Sequence, residues 1–285
     1  MEAEFIAFHV RNMLPSDFDF AVHATDRMGW GLEKSDFEFM MELEPEGCFV
    51  LFEDSERVGL ATTVSYGKIA WFGNLIVDEG RRRRGAGSLL VNHSLEYLRS
   101  IGVETVGLYA YMERISFYRR LGFRTDSAFL VMKGKAFSSS ISADVRKVEE
   151  RDIEKVVDFD RSCFGESRWK LLEPILSDRD NLGYFSVRGG KVVGYSVAKV
   201  FRGMAELGPI VCEKGQVDVA VNLLRATFDG VKRFEVSLFV PEKEEALCSM
   251  LVENGFSQVF KVERMFHGSP VAGDCVMMAE SLERG

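Results

Sequence analysis

Histidine and cysteine are scarce in this chain of 285 residues, and neither is patterned. The four histidines, His9, His23, His93 and His267, stand far apart, so no metal-binding constellation is expected and no metal is assigned. The five cysteines, Cys48, Cys163, Cys212, Cys248 and Cys275, include no C-x-x-C pair. An odd, unpatterned set fits reduced intracellular thiols better than a disulfide framework or a zinc site. Positive charge is short as well: 36 Lys and Arg against 44 Asp and Glu leave a net charge of -8. A general nucleic-acid binder needs a basic face to neutralise phosphate, so no nucleic-acid partner is expected. Also missing are a basic flank leading into an apolar stretch of signal-peptide length and any apolar run able to span a bilayer. The expectation is a cytoplasmic protein with no membrane partner. What is there, 46% hydrophobic and 28% charged residues, is the composition of a soluble globular protein, and the length suits two domains.

The chain contains one plan twice. Val10-Arg11 followed by Asp17 has its counterpart in Val145-Arg146 followed by Asp152. "FVLFEDSERVGLATTV" (49–64) resembles "YFSVRGGKVVGYSVAK" (184–199), with Val-Gly opening the second strand at Gly59 and Gly194. "FYRRLGF" (117–123) resembles "MLVENGF" (250–256), each closing a helix with Gly and re-entering a strand with Phe. Three matches in one order, at offsets of about 133 to 135, imply two copies of one fold. The Ser-rich "GKAFSSSISAD" (134–144) reads as the linker, giving domains 1–136 and 144–282.

In the first copy the pattern predicts a strand over 5–11 and helices near 16–27 and 33–43. Strands follow at 48–53, 57–66 and 69–78. From Gly87 to Ile101 apolar residues recur at helical spacing, predicting an amphipathic helix. "VETVGLYAY" is then a strand, "ERISFYRRL" a short helix, and 123–133 a final strand pair. Strands and helices alternate, so each copy is expected to be a mixed α/β domain.

"DEGRRRRGAGSLL" (78–90) joins a strand to that amphipathic helix. A helix N-terminus offers unpaired N–H groups and the positive end of its dipole, so it attracts an anion. Glycines at 85 and 87 let the backbone approach a phosphate closely. The segment is neither G-x-x-x-x-G-K-[ST] nor G-x-G-x-x-G, since Leu90 stands where a third glycine would be. What remains is R-x-x-G-x-G, Arg82 to Gly87, between a strand and a helix. Alternatively the arginines are a solvated charge run beside a tight turn.

This segment, with "FYRRLGF" some 30 residues later, resembles the acyl-CoA loop of the GCN5-related N-acetyltransferases (GNAT). The resemblance implies tandem GNAT folds, each a mixed, mostly antiparallel sheet with helices on both faces. It also implies that acetyl-CoA is a cosubstrate, held by Leu75, Ile76 and Val77 of the strand and by Arg82, Arg83, Arg84, Gly85, Ala86, Gly87 and Ser88 of the loop. Tyr118 would serve the leaving sulfur as catalytic residue, or else it is a core tyrosine. Val77 would present a backbone N–H to the acetyl carbonyl. Tyr111 departs from the family, many of whose members carry Asn there.

The resemblance implies transfer of acetyl from acetyl-CoA to a primary amine of a small molecule or amino acid. The other reading is an inactive acyl-CoA-binding sensor. Monomer and homodimer are both open. A lysine-type amine is neutral in only about one molecule in 2,500 at pH 7, so a proton acceptor is wanted. Yet "GKIAWFGNLIV" holds no carboxylate or histidine. His23, Asp26 and Glu33 are the candidates in the flanking helical stretch, alongside water. Trp30, Asp160 and Arg168 are candidate acceptor contacts, the last two in "DFDRSCFGESRW", which could equally be an ordinary surface helix. At an offset of about 134, Val219 and Val221 replace Gly85 and Gly87, and at about 133 Leu251 replaces Tyr118. The second copy is expected to keep the fold and lack the coenzyme.

Overall fold

The computed structural model describes residues 8–138, 142–201, 203–271 and 275–285. The first copy runs β1 (Phe8–Asn12), α1 (Phe18–Arg27), α2 (Lys34–Leu43), β2 (Cys48–Glu53), β3 (Glu56–Tyr66) and β4 (Ile69–Val77). It continues with α3 (Ala86–Ser100), β5 (Thr105–Tyr111), α4 (Ile115–Arg120) and β6 (Arg124–Lys135). The second copy repeats the order with β7 (Val145–Lys147), α5 (Ile153–Phe164), α6 (Trp169–Ser177), β8 (Leu182–Arg188), β9 (Lys191–Phe201) and β10 (Met204–Glu213). Then come α7 (Val217–Gly230), β11 (Glu235–Pro241), α8 (Glu245–Glu253), β12 (Ser257–His267) and one extra strand, β13 (Cys275–Met278).

The expected strand pair at 123–133 is a single strand, β6, because no turn residue interrupts its apolar run from Ala128 to Met132. The predicted linker begins inside β6, at Gly134 and Lys135, and its centre at 139–141 lies outside the described residues. The start of the predicted first strand does too.

The described strands form one sheet in the order β1-β2-β3-β4-β5-β12-β6-β11-β10-β9-β8-β7, with β13 on β10. Pairing is antiparallel except between β4 and β5 and between β10 and β11. The middle of the order shows an exchange. β12 of the second copy lies on β5, from Val262–Tyr111 to His267–Val106. β6 of the first copy lies on β11, from Glu235–Lys135 to Pro241–Phe129. β6 and β12 then pair with each other, so each copy completes the other's sheet.

Helices cover both faces, which is why β2 is apolar at nearly every position. Cys48, Val50 and Phe52 face a core shared with α1, α2, α5 and α6. Phe49 and Leu51 face the core under α3. The first of these cores joins the copies: Phe164 of α5 meets Tyr66 edge-on at 5.6 Å and Trp71 at 6.2 Å.

The cysteine expectation needs correction. Cys163 of α5 and Cys275 of β13 form a disulfide, leaving Cys48, Cys212 and Cys248 free. Their sequence separation of 112 hid a proximity that arises only because β13 returns along β10.

Candidate active site

β4 and β5 pair only at Ile69–Thr105, Ala70–Val106 and Trp71–Gly107. Beyond that point they diverge, β4 running on to Val77 and β5 to Tyr111. The register of β4 on β3 passes from Thr62–Gly73 to Leu60–Ile76, so Asn74 and Leu75 bulge opposite Ala61. Asn74 takes φ +50, and its Nδ2 donates to Thr62 Oγ1 at 3.1 Å, which holds the bulge. Asp78 donates its amide to the Val58 carbonyl at 2.8 Å. Ladder alternation then turns the backbone groups of Val77 away from β3 and into the splay. The splay opens into a cleft of about 1430 Å³ bordered by both copies.

The arginine loop from Asp78 to Gly85 closes one end. Arg83 and Gly85 both sit in the left-handed region, at φ +63 and +88, and Gly85 caps α3. Among the described residues, none of the amides from Arg83 to Ser88 has an acceptor; the first bonded amide is Leu89, to the Gly85 carbonyl. Alternating backbone handedness with free N–H groups is an anion-binding concavity at a helix N-terminus. The four arginines have different jobs. Arg81 pairs with Glu53 and, at 3.1 Å, with Glu56, while Arg84 pairs with Glu53 at 2.7 Å. Arg82 donates to the Val77 carbonyl at 2.9 Å and to Glu79 at 3.3 Å. Arg83 makes no ion pair among the described residues and lines the cleft.

Tyr118 of α4 lines the same cleft, ringed by Phe117 at 5.0 Å and Phe123 at 5.7 Å. Burial pushes its phenol well above the ordinary value, Arg114 opposing weakly, so it stays protonated at neutral pH. Trp30, in the α1–α2 connection, also lines the cleft and donates its indole N–H to the Tyr111 hydroxyl at 3.0 Å. Tyr111 thus ties that connection to the end of β5.

Other candidates lie elsewhere. Asp160 and Arg168 do not line this cleft: they are buried in the core and grip each other at 2.7 and 3.0 Å, with Tyr195 on Asp160 at 2.6 Å. A buried charge must be paired, and this pair is spent internally. His23, Asp26 and Glu33 are exposed and do not line the cleft. What sequence reasoning missed is the segment after β13. Leu282, Glu283 and Arg284 enter the cleft, as do Lys199 and Glu206 of the second copy. Only their pairing in space could show this.

The second copy has the same fork without an opening. β10 and β11 pair from Met204–Glu235 to Leu207–Leu238, and past the fork β13 occupies the gap, pairing Ile210–Met278 to Glu213–Cys275. The connection from β10 to α7 is only Lys214, Gly215 and Gln216. The arginine loop is therefore deleted, not substituted: Val219 and Val221 lie inside α7, and Val219 packs in the core. Leu251 does stand where Tyr118 stands, and it is buried.

Two family models match this architecture: residues 15–123 match the acetyltransferase (GNAT) family and residues 156–275 an acetyltransferase (GNAT) domain. The chain is 23% identical over 194 residues to the uncharacterized N-acetyltransferase YitH of Bacillus subtilis, covering 67% of each. It is 30% identical over 97 residues to the uncharacterized N-acetyltransferase MJ1207 of Methanocaldococcus jannaschii, covering 30% of this chain and 43% of that one. Among solved structures, a Pyrococcus horikoshii protein assigned to the acetyltransferases superposes with TM-score 0.80 at 24% identity, covering 100% of this chain and 98% of that one. A tandem GNAT protein from the clavulanic acid biosynthesis pathway gives 0.63 at 14% identity, covering 94% and 99%. At these identities the structural likeness shows the fold.

Proposed function

The chain belongs to the GNAT superfamily as a tandem of two such folds, and from that premise we propose that its first copy transfers acetyl from acetyl-CoA to a primary amine of a small molecule or amino acid. The observation that carries this reading is the run of unpartnered amides from Arg83 to Ser88 at the mouth of the β4–β5 splay. Residues 1–136 supply the donor half. Residues 144–282 wall the acceptor side.

In this reading the amides of Arg83 to Ser88 hold the coenzyme pyrophosphate, with Arg83 supplying charge, while Leu75, Ile76 and Val77 line the acyl arm. Val77 directs its N–H toward the acetyl carbonyl and stabilises the oxyanion as it forms. Tyr118 serves the sulfur. A phenol near 10 giving its proton to a thiolate near 8.5 is uphill by about 2 kcal/mol, and burial raises Tyr118 further. Its role is therefore hydrogen bonding to the developing thiolate, more than full transfer. The need for acetyl-CoA makes the cytoplasm the fitting compartment.

The test is thermal unfolding with acetyl-CoA, followed by thiol release with an amine panel. Ligand at 100 times its Kd should stabilise the wild type by about 2.7 kcal/mol. Gly85→Val should abolish that protection: at φ +88 with no atom within 4 Å of an added Cβ, the substitution strains the backbone of the cradle without a clash. Protection without thiol release from any amine would favour the sensor. No protection would sink both readings.

A further inference from the structure

The cleft has an anion cradle and a hydroxyl donor, yet β4 brings no acidic or imidazole group to the acceptor. Where a side chain would project, it has Gly73, immediately before the bulge. That space is filled from far along the chain: a Cβ on Gly73 would lie 2.4 Å from the Cβ of Glu283 and 2.6 Å from its Cα. Glu283 thus rests on the strand that carries Val77, in the cleft lined by Arg83 and Tyr118. The neighbouring residue, Arg284, is held from both copies. Tyr66 donates its hydroxyl to the Arg284 carbonyl at 3.0 Å, and Arg284 pairs with Glu280 at 2.9 Å.

We propose that Glu283, carried by the segment after β13, is the carboxylate that takes the proton from the acceptor amine of the first copy. This rests on the transferase reading. Lys199 and Arg284 face Glu206, Glu280 and Glu283, so with all groups charged one carboxylate is in excess. Glu280 sits between both cations: burial would raise it, but Arg284 and Lys199 overcome that and hold it at about 2. Lys199 also takes Glu206, at 2.6 Å. Among the described residues Glu283 pairs with Arg284 alone, at 2.9 Å, and its side chain is 18% exposed. Burial raises its carboxyl, Arg284 opposes, Glu206 and Glu280 raise it again, Lys199 opposes, and the balance is upward. A carboxylate tuned upward is the better base near neutrality.

In the step itself, one proton passes from the ammonium to the Glu283 carboxylate and on to water. The neutral nitrogen then attacks the thioester carbonyl carbon, forming the C–N bond and an oxyanion, whose collapse breaks the C–S bond. The nitrogen's second surplus proton ends on the coenzyme sulfur. The sum is ammonium plus acetyl-CoA giving amide, free coenzyme thiol and one proton.

The experiment compares wild type, Glu283→Gln and Glu283→Asp by thiol release with ethanolamine, putrescine, lysine and n-butylamine from pH 6 to 10. Acetyl-CoA affinity and unfolding midpoint are measured alongside. Glu283→Gln is expected to lower kcat about 10²-fold at pH 7 with acetyl-CoA affinity unchanged. Its deficit should shrink as pH approaches the amine pKa, and Glu283→Asp should recover part of kcat. A Gln variant with wild-type kcat and pH profile overturns the assignment while leaving the transferase standing. Loss of acetyl-CoA affinity in step with kcat overturns it too, as a merely structural role would produce that. A wild type that acetylates none of the four overturns the transferase reading and this one together.

Discussion

Tyr118 and Leu251 hold the same place in the fold twice over. The Tyr118 carbonyl accepts the amide of Phe123 at 3.1 Å, and the Leu251 carbonyl accepts the amide of Phe256 at 3.0 Å. In each cap the intervening glycine, Gly122 or Gly255, is left-handed, at φ +91 and +85. One frame thus carries a phenol in the copy with an open splay and an alkyl group in the copy whose splay is filled.

Tyr118→Phe should therefore leave the fold intact and remove one hydroxyl from the cleft. Turnover should fall about 10²-fold while acetyl-CoA affinity stays within about twofold. Steady-state kinetics beside a direct binding titration separates the two. Equal loss of both would make Tyr118 a packing residue.

Arg83 and Arg84 are neighbours with opposite expected phenotypes. Arg84 shares the buried Glu53 with Arg81 and holds the loop onto β2, whereas Arg83 makes no ion pair among the described residues and lines the cleft. Arg83→Ala should weaken acetyl-CoA binding about tenfold, more at low salt than at high, with the unfolding midpoint unchanged. Glu53→Ala should instead lower stability by about 1–3 kcal/mol, since it frees the loop's anchor. A midpoint shift in the Arg83 variant would contradict this division.

The repeat, the element order and the strand-loop-helix frame of the site were legible because they are written in local spacing. The twin Leu-Gly-Phe and Asn-Gly-Phe caps are short-range chemistry, and both hold. The exchange of β6 and β12 was not legible, because an apolar strand carries no mark of which copy it will join. The same limit hid Cys163–Cys275 and made Asp160–Arg168 resemble an exposed charged helix. Sequence offset placed Val219 opposite Gly85, though the second loop is shorter and Val219 falls within α7. Glu283 was invisible as a neighbour of Gly73 for the same reason.

Acid should expose the charge network beneath the cleft. Glu280 is held at about 2 against an ordinary 4.5, by Arg284 and Lys199 working against burial. A depressed carboxyl contributes stability that is fully present above 4.5 and is lost as pH falls from there toward 2. The gap corresponds to about 3 kcal/mol. Asp17, also held at about 2, titrates in the same window through Arg11 and Arg57. Urea midpoints should therefore drop between pH 5 and pH 2.5, and Glu280→Gln should flatten part of that slope, leaving the share of Asp17. An unchanged slope in the variant would remove Glu280 from the account.

The filled splay of the second copy predicts one acetyl-CoA per chain. β13 pairs with β10 where an acyl arm would otherwise lie, and its first residue, Cys275, is tied to α5 through Cys163. Cys163→Ser with Cys275→Ser should cost about 2–4 kcal/mol of stability by releasing that closure. It should not create a second binding site, because the three-residue connection Lys214-Gly215-Gln216 has no arginine and no run of free amides comparable to Arg83–Ser88. Calorimetric titration should give a stoichiometry of one for the wild type and for the double variant. A value of two in the wild type would show that the second copy binds coenzyme despite β13. A value of two only in the variant would show that β13 alone excludes it, and the loop deletion would lose its place in the explanation.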